Sequence, residues 1–150
     1  MKGASIGVGL LFGVLIADAA TAEPYQDYAP QKGLWHVTTI KVDPNRIDEY
    51  VTGLKKEWVP GREVAKKHGL IDSYTILVKI NSADGSGNVV LVQHIPNTSA
   101  LDPDQARDQL VQQEEYAAVP KAVGMEMVKD FNNYRTFVGD DYYQELTYTK

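Results

Sequence analysis

Apolar and polar positions divide the chain into elements with few ambiguous joints. Leu34–Val42 (LWHVTTIKV) is rich in β-branched and aromatic residues and predicts a strand. Asp43-Pro44 then marks a helix start, because Asp can cap free N–H groups and Pro suits the first helical position. Ile47, Tyr50, Val51, Leu54 and Trp58 recur at helical spacing and form one apolar stripe. Pro60-Gly61 is expected to interrupt this helix, and a second segment runs to His68 with Gly69 as its stop. Lys66, Lys67 and His68 sit where the helix dipole favours positive charge. Leu70–Ile80 contains a second strand, strongest over Tyr74–Ile80, and residues 81–88 (NSADGSGN) read as a turn. Val89–Ile95 (VVLVQHI) completes an antiparallel hairpin. Asp102-Pro103 repeats the helix-start chemistry, with Gln105 placed for a capping box, and that helix runs toward Ala118. Pro120 opens a further helical stretch, whose stripe is Val119, Val123, Met127, Phe131, Tyr134 and Val138. Gly139-Asp140-Asp141 is expected to end it, and Tyr142–Thr149 (YYQELTYT) to form the last strand.

Strand, helix, strand, strand, helix, strand is the split βαβ order of a ferredoxin-like α+β domain with a four-stranded antiparallel sheet. Helices cover one face of such a sheet, and the other must be wet or covered. Val89-Val90-Leu91-Val92 and Ile76-Leu77-Val78 offer apolar groups to both faces. A second copy stacking its sheet on the first is the simplest cover, giving a homodimer with a closed interior.

The N-terminus follows a different logic. Lys2 supplies a positive start, Ile6–Ile16 is an uncharged run, and Ala20-Thr21-Ala22 offers small residues to a signal peptidase. The run is too short for a bilayer span of about 20 residues. Residues 1–22 therefore read as an export signal, cut after Ala22 or alternatively after Ala19, and the expected location is periplasmic or secreted. No membrane span is expected after cleavage. Residues 23–33 (EPYQDYAPQKG) read as a flexible polar lead-in, and residues 34–150 as a single domain.

Removing residues 1–22 takes away Lys2 and Asp18 together, so the net charge of −5 is unchanged. An acidic chain of this kind carries no electrostatic footprint for nucleic acid. The chain has no cysteine, which excludes thiolate metal sites and leaves an exported domain without disulfides. It has no phosphate-binding glycine loop, dinucleotide fingerprint or HExxH motif, and no cofactor or metal is expected.

The stretch WHVTTIKVDPNRIDEYVTGLKKEWV, followed by GLIDSYTILVKI and NVVLVQHI, resembles the dimeric α+β barrel superfamily, in the style of NIPSNAP-like and stress-responsive barrel proteins. Val42, Pro44, Arg46, Glu49 and Tyr50 carry the joint from strand to helix. The resemblance covers residues 34–97 and, loosely, 142–149. It implies a site in a cavity between sheet and helices. The superfamily includes cofactor-free monooxygenases, haem-degrading enzymes, aldoxime dehydratases and proteins without known activity. The Asn, Trp and His arrangement of the haem-degrading type has no counterpart that aligns here.

Five side chains are candidates for chemistry. His36 and His94 lie on the first and third strands, neighbours in a ferredoxin-like sheet. If they share a face, either can act as a general base. The plainer reading makes each a strand histidine with a satisfied hydrogen bond. Trp58 can wall a pocket or simply pack the core. Arg62 can hold a carboxylate at a cavity mouth or stand solvated at the surface. Tyr74 can offer a hydroxyl to a ligand, although strand propensity alone explains it. Two functions follow: a binding or structural protein of the cell envelope with a small apolar ligand, or a cofactor-independent monooxygenase or isomerase. Haem binding is a third.

Overall fold

A computed structural model describes residues 22–80 and 86–149; the expected export signal, apart from Ala22, and residues 81–85 of the expected turn lie outside the described residues. In chain order the elements are β1 (Tyr28–Pro30), β2 (Leu34–Val42), α1 (Ile47–Lys56), α2 (Trp58–Lys67), β3 (Ser73–Val78), β4 (Val89–Ile95), α3 (Gln105–Ala118), α4 (Lys121–Phe131), β5 (Arg135–Tyr143) and β6 (Leu146–Tyr148). Four strands form one antiparallel sheet in the order β3-β4-β2-β5. Each half contributes a crossover of two helices, and the result is the ferredoxin-like α+β arrangement. Within the polar segment 23–33, β1 pairs with β6 as a separate two-stranded ribbon.

Local chemistry accounts for most element ends. Asp43 accepts a hydrogen bond from the Asn45 N–H at 2.9 Å, and Pro44 opens a single 3-10 turn before α1. The break between α1 and α2 falls at Glu57, not at Pro60-Gly61. Pro60 is the third residue of α2, inside the first turn, where backbone N–H groups have no helical partner to lose. The cap of α3 is Asp104, which accepts from the Arg107 N–H at 3.0 Å, whereas the expected Asp102 closes the preceding 3-10 turn. Lys67 and His68 at the end of α2 reach Glu114 of α3 at 2.8 and 3.1 Å and tie the two crossovers together.

The largest correction concerns residues 132–143. The expected helix to Val138 stops at Phe131, and Asn132-Asn133 wind it down through hydrogen bonds to Val128 and Asp130. Residues 135–143 are a strand because the second edge of β2 stands open to them, and they pair with it along its length. Gly139 does not stop a helix: it sits opposite Thr39 beside a register shift that leaves Val138 as the extra residue of a bulge. Tyr142 and Tyr143 end β5, so the expected strand over 142–149 is two elements.

Pairing registers assign the two faces. Ile40 and Val42 of β2 and Val89 and Leu91 of β4 point to the helices and pack with Tyr50 and Leu54 of α1 and Phe131 of α4. Tyr50 meets Phe131 edge to face at 4.9 Å. Gly53 lets α4 approach this closely, since a Cβ there would lie 2.6 Å from the Phe131 ring. Asn88, the buried polar residue of the core, exchanges two 2.8 Å hydrogen bonds with the Val42 backbone and prolongs the β2–β4 ladder. Trp35, Val37, Val90, Val92 and Leu77 point the other way, onto a face that no helix among the described residues covers.

Candidate functional site

Register decides which candidates meet. Tyr74, Gln93, His36 and Tyr142 stand opposite one another across all four strands, so they form a row on the helix side of the sheet. Trp58 and Arg62 of α2 descend onto the same row. Trp58 meets the Tyr74 ring edge to face at 5.5 Å, and Arg62 Nη1 donates to Gln93 Oε1 at 2.8 Å. Four of the five sequence candidates are therefore neighbours. His94 is not: it pairs with Trp35, one residue from His36, and strand alternation turns it to the opposite face. The expectation of a shared histidine face is corrected by this one-residue offset.

The row is wired in one direction. Arg62 has only donors, so it orients the Gln93 amide with its oxygen toward the guanidinium. Gln93 Nε2 then faces His36 Nδ1 at 2.7 Å as a donor. That assigns the proton of the His36 ring to Nε2, which donates to Asp140 Oδ1 at 2.7 Å. Thr38 Oγ1 donates to the same oxygen at 2.7 Å. The Thr38 hydroxyl and the His36 ring hold the Asp140 carboxyl below the usual carboxylate range, against some desolvation. Both nitrogens of His36 are thus engaged, and its ring is stacked on Tyr142 at 4.5 Å. In this state it has no lone pair to offer a substrate. Its role in the geometry is to brace Gln93 and, through it, Arg62.

Beyond Arg62 lies a cleft of about 520 Å³ between α2 and the α3–α4 pair, within the range of about 300–1,000 Å³ that small-molecule sites occupy. Trp58, Tyr116, Val119, Met125 and Val128 give it an apolar lining. Arg62 lines it as well, and burial pushes the guanidinium below its usual value, opposed by Glu115 and Glu57. Its Nη2 comes no closer than 3.8 Å to Glu115, outside hydrogen-bonding distance, and its Nε is buried without a partner. Glu57, at the break between α1 and α2, lines the same cleft. Burial raises its carboxyl above the usual range, with Arg135 and Arg62 opposing. Among the described residues that carboxyl makes no hydrogen bond or ion pair.

Tyr74 donates its hydroxyl to Glu63, which raises the phenol, so the group is spoken for by the protein. On the other face, His94 Nδ1 lies 2.9 Å from both oxygens of Asp72, and its ring tilts against Trp35 at 4.7 Å. Its Nε2 has no hydrogen bond among the described residues. The Gly33 backbone packs against that nitrogen: a Cβ at Gly33, whose φ is +85°, would lie 2.9 Å away. Gln93, Asp140, Thr38 and Glu57 were not singled out from the sequence. Gln93 and Thr38 carry a signal there, as polar residues in strand-forming stretches, whereas Asp140 falls in the Gly139-Asp140-Asp141 segment that reads as a helix end. No group of three or more potential metal ligands occurs among the described residues, and no helix there is long and apolar enough to cross a membrane.

No family model matches the chain, and no curated protein matches it. Several solved structures are similar in shape at low identity. A protein from Shewanella oneidensis is 13% identical, with a TM-score of 0.48 over 80% of this chain and 98% of that one. A dimeric ferredoxin-like protein of unknown function from Thermobifida fusca is 8% identical, with a TM-score of 0.39 over 79% of this chain and 92% of that one. A NIPSNAP family protein of unknown function from Agrobacterium tumefaciens is 8% identical, with a TM-score of 0.40 over 82% of this chain and 93% of that one.

Proposed function

We propose that the protein is an exported, homodimeric ferredoxin-like binder of small apolar organic anions, held in the cleft between α2 and the α3–α4 pair. The observation that carries this reading is the state of Arg62. It is fixed by Gln93 at 2.8 Å, holds only a long ion pair with Glu115 at 3.8 Å through Nη2, and stands in a largely apolar cleft of ligand size. A guanidinium in such a place favours a carboxylate or sulfonate whose apolar body fills the rest.

Fluorescence titration with 1-anilinonaphthalene-8-sulfonate, an apolar anion, tests it. Arg62→Met removes a charged hydrogen bond of about 1.5–3 kcal/mol, which weakens binding by about 10-fold or more. Binding of the neutral N-phenyl-1-naphthylamine should hardly change, because the apolar lining remains. Equal loss of both probes would mean that the cleft collapsed, and equal retention would remove Arg62 from recognition.

The homodimer rests on the sheet face that no described helix covers, where Trp35, Val37, Val90, Val92 and Leu77 form an apolar surface. Isologous stacking of two such faces buries it. Light scattering on the purified protein at micromolar concentration should give twice the monomer mass, and a monomer would overturn this part. A histidine-based enzyme fits the geometry less well, because His36 is engaged at both nitrogens and His94 lies away from the cleft.

A further inference from the structure

Two carboxylates, Glu57 and Glu115, line the cleft together with Arg62, an odd provision if only simple anions enter it. Glu115 of α3 stands beside the guanidinium: its Oε1 lies 3.8 Å from Arg62 Nη2, close enough for attraction and too far for a hydrogen bond. Gln93 fixes Arg62 from the sheet side at 2.8 Å. Gly61, the residue before Arg62, keeps the surface of α2 low beneath Glu115, whose Oε1 would lie 3.5 Å from a Cβ there. Lys121 and Lys129 of α4 complete the charged lining, and Lys121 lies over the Tyr116 ring at 5.7 Å. A carboxylate seated on Arg62 Nη2 comes within a few ångströms of the Glu115 carboxylate, and like charges at that range repel. A positive group on the atom next to the ligand carboxylate turns that repulsion into attraction.

We infer that the ligand of the cleft is an apolar α-amino acid, with its carboxylate on Arg62, its ammonium on Glu115 and its side chain among Trp58, Met125 and Val128. The inference rests on Arg62 being the anion anchor, and it narrows that reading from apolar organic anions in general to those with an ammonium beside the carboxylate. The bonds at Cα hold the ammonium nitrogen and the carboxyl carbon of such a ligand about 2.5 Å apart. Both groups can therefore meet receptor atoms that stand 3.8 Å from each other. Charges then alternate around the contact, and both ligand groups make charge-assisted hydrogen bonds. Glu115 thereby sets specificity: it attracts the zwitterion and repels the same acid without its amine. A simple amine fails in the converse way, since Arg62 repels it. The apolar lining selects a large apolar side chain over a polar one.

Isothermal titration calorimetry with three ligands of one shape tests it: L-phenylalanine, 3-phenylpropionate, which lacks the amine, and 2-phenylethylamine, which lacks the carboxylate. The wild-type protein should bind phenylalanine about 10-fold or more tightly than either, the factor of one charge-assisted hydrogen bond. Glu115→Gln should weaken phenylalanine to the level of 3-phenylpropionate and, with the repulsion gone, tighten 3-phenylpropionate, which also shows that the cleft is intact. Arg62→Met should weaken both acids. If the wild-type protein binds 3-phenylpropionate as tightly as phenylalanine, the inference is overturned and the anion reading stands. An equal loss of both acids in Glu115→Gln also overturns it, because Glu115 then merely supports Arg62. If neither acid binds the wild-type protein, the inference fails, and the titration of Arg62→Met with 1-anilinonaphthalene-8-sulfonate decides the anion reading by itself.

Discussion

Replacing Gln93 with Leu probes the one-way chain from Arg62 to Asp140 at its middle link. Leucine has a similar volume and suits a half-buried strand position, so packing is largely kept. Two hydrogen bonds disappear: one from the Arg62 guanidinium at 2.8 Å and one to His36 Nδ1 at 2.7 Å. A bond to a charged group contributes about 1.5–3 kcal/mol and a neutral one about 0.5–1.5 kcal/mol. Both partners keep some contact with water, Arg62 with a quarter of its side chain exposed and His36 with 17%. Solvent recovers part of the loss, so the expected cost is about 2 kcal/mol. For a domain of this size that lowers the melting temperature by about 8 °C. Urea denaturation gives the free energy, and ¹⁵N NMR of the imidazole gives the second readout, a change at Nδ1 with Nε2 still protonated toward Asp140. Binding of 1-anilinonaphthalene-8-sulfonate should weaken several-fold as Arg62 loses its brace. A stability loss below about 0.5 kcal/mol, the ordinary scatter of surface substitutions, together with an unchanged Nδ1 signal would refute the chain.

Two further perturbations address the core and the charges. Gly53→Ala places a methyl 2.6 Å from the Phe131 ring, and overpacking of this kind should cost about 1–3 kcal/mol in urea melts, whereas an unchanged midpoint would mean that α1 and α4 separate freely. The pH dependence has two opposed parts. Thr38 and His36 depress Asp140, and Lys67 and His68 depress Glu114, so their stabilisation is complete above the unfolded carboxylate pKa and is lost as pH falls through the lower folded values. Glu57 is raised by burial, so its ionised form opposes folding at neutral pH and the penalty fades as pH falls below its raised pKa. Glu57→Gln should therefore raise the urea midpoint at pH 7.5 and lose that advantage in acid, and a difference independent of pH would show that the carboxyl is not desolvated.

Much of the fold was legible because it is local. Leu34–Val42 and Val89–Ile95 are strands over the residues their composition marks. Asp43 caps the turn into α1, and Tyr50 and Leu54 of the apolar stripe are buried in the core. The stretch up to Val138 reads as helix because Val119, Val123, Met127, Phe131, Tyr134 and Val138 keep helical spacing whether or not the backbone stays helical. What made the last part a strand was the open edge of β2, some 100 residues away in the chain, whose N–H and C=O groups needed partners.

The site divides along the same line. Residue type alone pointed to His36, Trp58, Arg62 and Tyr74, since aromatic, cationic and imidazole side chains on predicted sheet-facing elements are what a cleft uses. Which of them meet was beyond the sequence. A register of one residue put His36 beside Gln93 and turned His94 to the other face, because successive strand side chains point in opposite directions. The shift of the α1–α2 break to Glu57 set that carboxyl in the cleft wall. The sequence by itself determined the elements, their order and the chemical types available. Only the tertiary structure decided that Arg62, Gln93, His36 and Asp140 form a directed chain and that Glu57 stands unpartnered nearby. Helix and strand preferences are settled within a few neighbouring residues, whereas a site depends on registers and crossings between segments far apart in the chain.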